Sequence, residues 1–140
     1  MVQLDETVDI FELLGDWDQR YQYLVELGEK LPAMPQRLKT DDNKVKGCMS
    51  QVWVDACPED DSVRFHGDCD TSVIKGILAL LISLCEGQTP AQIQKLDMDE
   101  IFQRLNLDEH LSPNRHVGVY AIIDLMKQKA AQAVKSSEAA

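Results

Sequence analysis

The apolar run Val73–Cys85 constrains this chain more than any other stretch. It reads as a helix that is hydrophobic on nearly every side, and such a helix has no face to offer water. It is therefore expected at the centre of the fold, closed at its end by Gly87, with the other elements packed around it. Lys75 falls inside the run, which is also shorter than the roughly 20 residues needed to cross a bilayer, so no membrane role is expected. The 140 residues are expected to form one domain, 1–140, long enough to enclose such a helix without disulfide or metal staples.

The flanking segments supply the shell. Residues 5–14 place Val8, Phe11 and Leu14 at helical spacing and stop at Gly15. Asp16 then caps a helix whose apolar face is Trp17, Tyr21, Leu24, Leu27 and Leu31, ended by Leu31-Pro32. A proline-containing loop, 33–43, precedes the alternating segment Gln51–Ala56. Turn chemistry at Pro58–Asp61 and a second alternating segment, Ser62–His66, predict a hairpin. Lys44–Lys46 is expected to add a third strand. Thr89-Pro90, Asp97–Glu100 and Ser112-Pro113 each carry a helix-start signal, and the last opens a helix with Val119, Ile122, Ile123 and Met126 on its apolar face. The expected class is α+β: a small antiparallel sheet of about three strands packed against several helices. Residues 1–16 form an N-terminal helix and 136–140 a frayed tail.

Charge narrows the function. The net charge is −10, and it is local: residues 1–20 and 55–70 each hold six acids against one arginine. Phosphate binding needs a clustered positive face, so nucleic acid is not an expected partner. Solubility and docking on a basic partner both account for the acid. Met1 is followed by acidic residues rather than a basic and then apolar run, so no secretory signal is read there. Cysteines at 48, 57, 69 and 85 form no C-x-x-C pair, against a zinc ribbon or a thioredoxin-type dithiol. Reduced thiols and a cytoplasmic location are expected.

One thiol stands apart. Cys48 follows Gly47, a residue suited to a tight turn, where a loop carrying Lys44 and Lys46, with Arg37 and Lys39 behind, becomes an apolar strand. Nearby cations favour the thiolate, the form that attacks electrophilic sulfur; the alternative is a small buried hydrophobe. Cys85 closes an apolar helix, Cys57 is expected to be half-buried at a strand end, and Cys69 lies between two aspartates that oppose its ionisation. His66, His110 and His116 have no spacing that selects one as a base for a Cys–His pair.

The stretch Gly47-Cys48-Met49-Ser50-Gln51-Val52-Trp53-Val54 resembles the signature of the SufE family of sulfur-acceptor proteins, G-C-x-S-x-V-W followed by an aliphatic residue. Three further stretches agree in order and spacing: Glu26–Pro32, Gly67–Asp70 running into Ile74-Lys75-Gly76, and His110–Arg115. The similarity runs from about Trp17 to about Lys129, with serine more usual at the position of Cys69. That difference leaves room for a second redox or resolving thiol, a role not expected here.

The resemblance implies a fold like that of iron–sulfur scaffold proteins and a role as a sulfur carrier rather than an independent enzyme. The family position matched by Cys48 receives sulfane sulfur from a cysteine desulfurase, stimulates that enzyme and passes the sulfur toward iron–sulfur cluster assembly on a downstream scaffold. The pyridoxal phosphate belongs to the desulfurase, and no cofactor or metal is expected in this chain. The alternatives are an iron–sulfur or metal scaffold, and an adaptor for a paralogous desulfurase system. Lys44, Lys46, Gly47 and Gln51 are expected to contact the partner or shape the loop. Asp70 is expected chiefly as the N-cap of the core helix, with holding the cysteine loop or contacting the desulfurase as the alternative. Arg115 is read equally as a surface cation or as a residue that holds the loop or contacts the desulfurase.

Overall fold

A computed structural model describes the backbone of residues 2–139 and the side chains of residues 4–133. Two strands and six helices follow in the order α1 (Val2–Leu14), α2 (Trp17–Glu29), β1 (Val52–Glu59), β2 (Ser62–Cys69), α3 (Ser72–Cys85), α4 (Pro90–Gln94), α5 (Met98–Leu105) and α6 (Pro113–Ala139). Short 3-10 turns lie at Gln36–Leu38 and Leu107–Glu109. The helix starts follow the capping chemistry. The Asp16 carboxylate accepts the Gln19 N–H at 2.9 Å, Thr89 and Gln92 form a reciprocal capping box, and Asp97 accepts from Asp99 and Glu100. Ser112 Oγ accepts the Arg115 N–H at 3.3 Å at the start of α6.

The all-apolar run is the central helix. Nine residues of α3 are buried, among them Ile77, Leu78, Leu81 and Leu84. Its neighbour α2 approaches at backbone distance. Gly28 and Gly76 face each other at the crossing, where a Cβ on Gly76 would overlap the Leu24 carbonyl. The antiparallel hairpin covers another side. Its register pairs Val52 with Cys69, Val54 with Gly67 and Ala56 with Phe65, so one face of both strands turns inward. The α3 side chains Leu78 and Ile82 press on Gly67 of β2, and α6 packs along β1.

Two expectations about the sheet need correction. Lys44–Lys46 is not a third strand: it contributes one bridge, Lys44 to Trp53, so the sheet has two strands. Gly47 turns the chain away before a ladder can extend. The hairpin is also longer than predicted, because Cys57, Pro58 and Glu59 continue β1 and the turn is only Asp60-Asp61, with Asp60 at φ +53°. Pro58 sits opposite Val63 in this ladder. In the N-terminal part, α1 begins at Val2 rather than residue 5, and α2 ends at Glu29, before Leu31-Pro32. The frayed tail expected at 136–140 concerns side chains, and a final residue, outside those described.

The α2–α3 crossing leads to a prediction. Gly76→Ala places a methyl group against backbone that cannot step aside, so it should lower stability by about 3 kcal/mol. Urea unfolding should show a reduced midpoint with an unchanged slope.

Candidate functional site

Gly47 adopts φ +84°, a conformation that favours glycine, and nothing lies within 4 Å of where its Cβ would be. The backbone turn, not crowding, therefore calls for glycine here. The turn begins the excursion 46–51, whose two feet are tied together: the Val45 N–H donates to the Val52 carbonyl at 2.8 Å, and the Val54 N–H donates to the Asn43 carbonyl at 2.7 Å. The returning leg is tied as well. Ser50 Oγ shares a 2.6 Å hydrogen bond with Thr71 Oγ1. The Gln51 N–H donates to Asp70 Oδ1 at 3.0 Å, and the Asp70 N–H donates back to the Gln51 carbonyl at 3.1 Å. Between these anchors, Lys46, Gly47, Cys48 and Met49 take part in no hydrogen bond or ion pair among the described residues. The tip instead rests by contact. Cys48 is half-buried against the edge of the core, with its Sγ on the surface of α6 at Gly118.

Asp70 thus holds the cysteine loop and is not the N-cap of α3. The cap position is Thr71, whose hydroxyl is engaged with Ser50 rather than with the helix. Of the basic segment, Lys39 is committed elsewhere: its ammonium pairs with Asp68 at 2.7 Å and lies 5.2 Å from the centre of the Trp53 ring, clamping 39–45 onto the outer face of the sheet. Asp68 also meets Lys75 at 3.3 Å and accepts the Cys69 N–H at 2.8 Å. Burial opposes its ionisation, but the Lys39 hydrogen bond, the Cys69 N–H and Lys75 outweigh it and hold the carboxyl below its ordinary range. Lys44 is half-buried beside the loop, while Lys46 and Arg115 are exposed, and none of the three joins an ion pair among the described residues.

The other thiols occupy different settings. Cys69 faces the core, and burial, against the opposing Thr71 N–H, pushes its thiol up to about 11. Burial likewise pushes Cys85 up to about 12, with Lys127 opposing. Cys57 is exposed rather than half-buried, because β1 runs past it and turns it to the solvent face, where its Sγ lies 3.9 Å from an Asp55 carboxylate oxygen. Two of the three histidines serve packing. His110 stacks on Trp17 with ring centres 3.9 Å apart, and His116 lies against Phe102 and Tyr120. A groove of about 670 Å³ between α2, β2 and α3 is lined by apolar Leu27, Leu31, Phe65 and Ile82 together with Lys30, Glu59, Arg64 and Glu86, and takes no residue from the cysteine loop.

Three contributors escaped the sequence reading. Asn43 is buried and braces the loop's first foot, donating to the Leu38 carbonyl at 2.7 Å and accepting from Lys129 of α6 at 2.6 Å. In sequence it resembles any turn asparagine. Thr71, two residues beyond Cys69, carried no signal of its own. Gly118, in the second turn of a helical pattern, was a visible signal of the same kind as Gly28 and Gly76, since glycine weakens a helix without a packing reason.

The chain as a whole is similar to known proteins. A family profile described as "SufE: Fe-S metabolism associated domain" matches residues 5–130. A SufE-like protein of Rhizobium meliloti, described as uncharacterized, is 38% identical over 136 residues, covering 93% of this chain and 96% of that one. A second, from Rhizobium etli, is 36% identical over 134 residues, covering 93% and 90%. The solution structure of a hypothetical protein from Thermus thermophilus superposes with a TM-score of 0.78, covering 95% of this chain and 96% of that one. At 22% identity, that likeness speaks to the fold.

Two predictions follow from the anchors. Asp70→Ala should raise amide exchange at Gln51 by roughly five- to tenfold while leaving amides in the middle of α3 unchanged. For Asp68, the folded carboxyl titrates below its unfolded value of about 3.9, so its contribution is full above that pH and is lost as pH falls through the folded value. Asp68→Asn should therefore cost about 1–2 kcal/mol at pH 7, and the gap from wild type should close in melts below about pH 4.

Proposed function

The chain belongs to the SufE family, associated with Fe–S metabolism, and on that premise we propose that it is a sulfur acceptor that takes sulfane sulfur from a cysteine desulfurase onto Cys48. The transfer balances without an added redox partner. The Cys48 thiolate attacks the outer sulfur of the desulfurase persulfide, a new S–S bond forms as the old one breaks, and the desulfurase thiolate leaves. Removing that persulfide stimulates the desulfurase, and the loaded Cys48 passes its sulfur to an iron–sulfur scaffold. The pyridoxal phosphate is the desulfurase's, and this chain acts as a carrier without turnover of its own, in the reducing cytoplasm.

The observation that carries this reading is the loop: Cys48 sits at a tip that makes no hydrogen bond among the described residues, between feet that are firmly bonded. Such a tip can leave its resting place and enter a partner's active site without unfolding the sheet. Cys57 is solvent-exposed but is fixed in the β ladder opposite Arg64, and Cys69 and Cys85 are buried. A metal scaffold would need converging thiols, whereas Cys57 lies on the outer face of the sheet and Cys69 on its inner face. Met49 and Val117, at 81% and 60% exposure, are large apolar side chains adjacent in sequence to Cys48 and Gly118. They give a desulfurase an apolar landing area around the thiol, with Lys44, Lys46 and Arg115 as polar contacts at its margin.

Cys48→Ser should abolish sulfur uptake, read as added mass after incubation with a cysteine desulfurase and cysteine, while Cys57→Ser and Cys85→Ser should retain it. Uptake by Cys48→Ser at the normal rate would refute the assignment. The acidic turn should play no part. The register puts Asp60-Asp61 at the far end of the ladder from Val52, roughly 23 Å along the strand at about 3.3 Å per residue. That exceeds the screening length of about 8 Å at physiological salt. Asp60→Asn with Asp61→Asn should leave desulfurase stimulation unchanged across a salt series.

A further inference from the structure

We infer that Gly118 is a positioning residue, the seat on α6 that holds the Cys48 thiol in its resting state and sets how readily the loop releases it. The inference rests on Cys48 being the acceptor thiol. Its basis is a close approach: a Cβ built on Gly118 would lie 2.7 Å from Cys48 Sγ, 3.5 Å from Cys48 Cβ and 3.8 Å from Cys48 Cα. The three nearest atoms all belong to the cysteine. Gly118 lies in the second turn of the long helix α6, past the capped first turn, has no positive φ, and is followed by the fully buried Val119. The helix backbone therefore does not call for glycine here; the space above it does.

The sulfur occupies the volume that a side chain would fill. The helix beneath is fixed by Val119, Ile122 and Ile123, each almost wholly buried, whereas the loop tip above makes no hydrogen bond among the described residues. If a methyl group is added at 118, the thiol must move rather than the helix. The feet stay bonded through Val45–Val52, Ser50–Thr71 and Gln51–Asp70, so displacement is confined to the tip. The contact on Gly118 is then a latch: resting, it withholds the thiol from stray electrophiles, and docking replaces it with contacts to the partner. Met49 and Val117, the sequence neighbours of Cys48 and Gly118, are both exposed.

The test is the alkylation rate at Cys48 in free protein, measured in a Cys57→Ser background because Cys57 is exposed. Gly118→Ala should raise that rate by roughly tenfold or more, toward that of an unhindered thiol, and shrink the further rise on adding a catalytically blocked desulfurase. A merely structural glycine would not change it. A rate in folded Gly118→Ala equal to the parent's overturns the seat, whatever Cys48→Ser does to sulfur uptake. Conversely, a raised rate together with undiminished uptake by Cys48→Ser keeps the seat and removes the acceptor role. Thermal melts of Cys48→Ala, Gly118→Ala and the double variant cover a folding failure. Under this inference the double variant tolerates the alanine better than the single one. If both lose equal stability to Gly118→Ala, the glycine serves something other than the thiol and the inference fails.

Discussion

A two-stranded ribbon is marginal in water, so the hairpin β1–β2 depends on what covers its inner face. That cover is α3, which is buried along most of its length and is held at backbone distance from α2 by the Gly28–Gly76 crossing. α3 also packs on β2, and α6 packs on β1. The cysteine loop enters where β1 begins and rests on α6, so the position of the thiol depends on how α6 packs against β1.

The loop is built from two mechanically different parts. Its feet use backbone pairing, a hydroxyl pair and an aspartate to attach residues 43–45 and 50–52 to the sheet and to the turn before α3. Lys39 on Asp68 and Trp53, and Lys129 on Asn43, brace the approaching chain from both sides. The tip has only contact to hold it. A moving thiol needs this separation: loosening the feet would cost register in a short sheet, whereas releasing the tip exposes one small side chain. Under the proposed acceptor role, anchored feet with an unbonded tip would let the thiol reach a partner's active site without a hinge elsewhere.

The four cysteines show how setting sorts one side-chain chemistry into different fates. Burial in the core raises the thiols of Cys69 and Cys85 and leaves them as small hydrophobes. A rigid strand holds Cys57 in the open beside a carboxylate. Only Cys48 joins partial shelter to a loop tip held by contact, without a hydrogen bond among the described residues.

Much of this was legible in the chain itself. An apolar run with no polar face can only be central, and side-chain caps such as Asp16, Thr89 and Asp97 act within one turn, so their effect is local and readable. The glycine before Cys48 is readable for the same reason, since its positive φ is a property of the turn it makes. The extent of the sheet was not readable: whether Lys44–Lys46 pairs over one bridge or several depends on where Gly47 redirects the chain relative to Trp53. Asp70 looked like a cap because it precedes a helix, and only the folded hairpin brings Gln51 within reach of its carboxylate. The bracing of Asn43 by Lys129 and the seating of Cys48 on Gly118 join positions 86 and 70 residues apart, contacts that no local pattern encodes. The sequence determined which thiol stands at a turn; the packing of α6 across β1 decided what that thiol rests on.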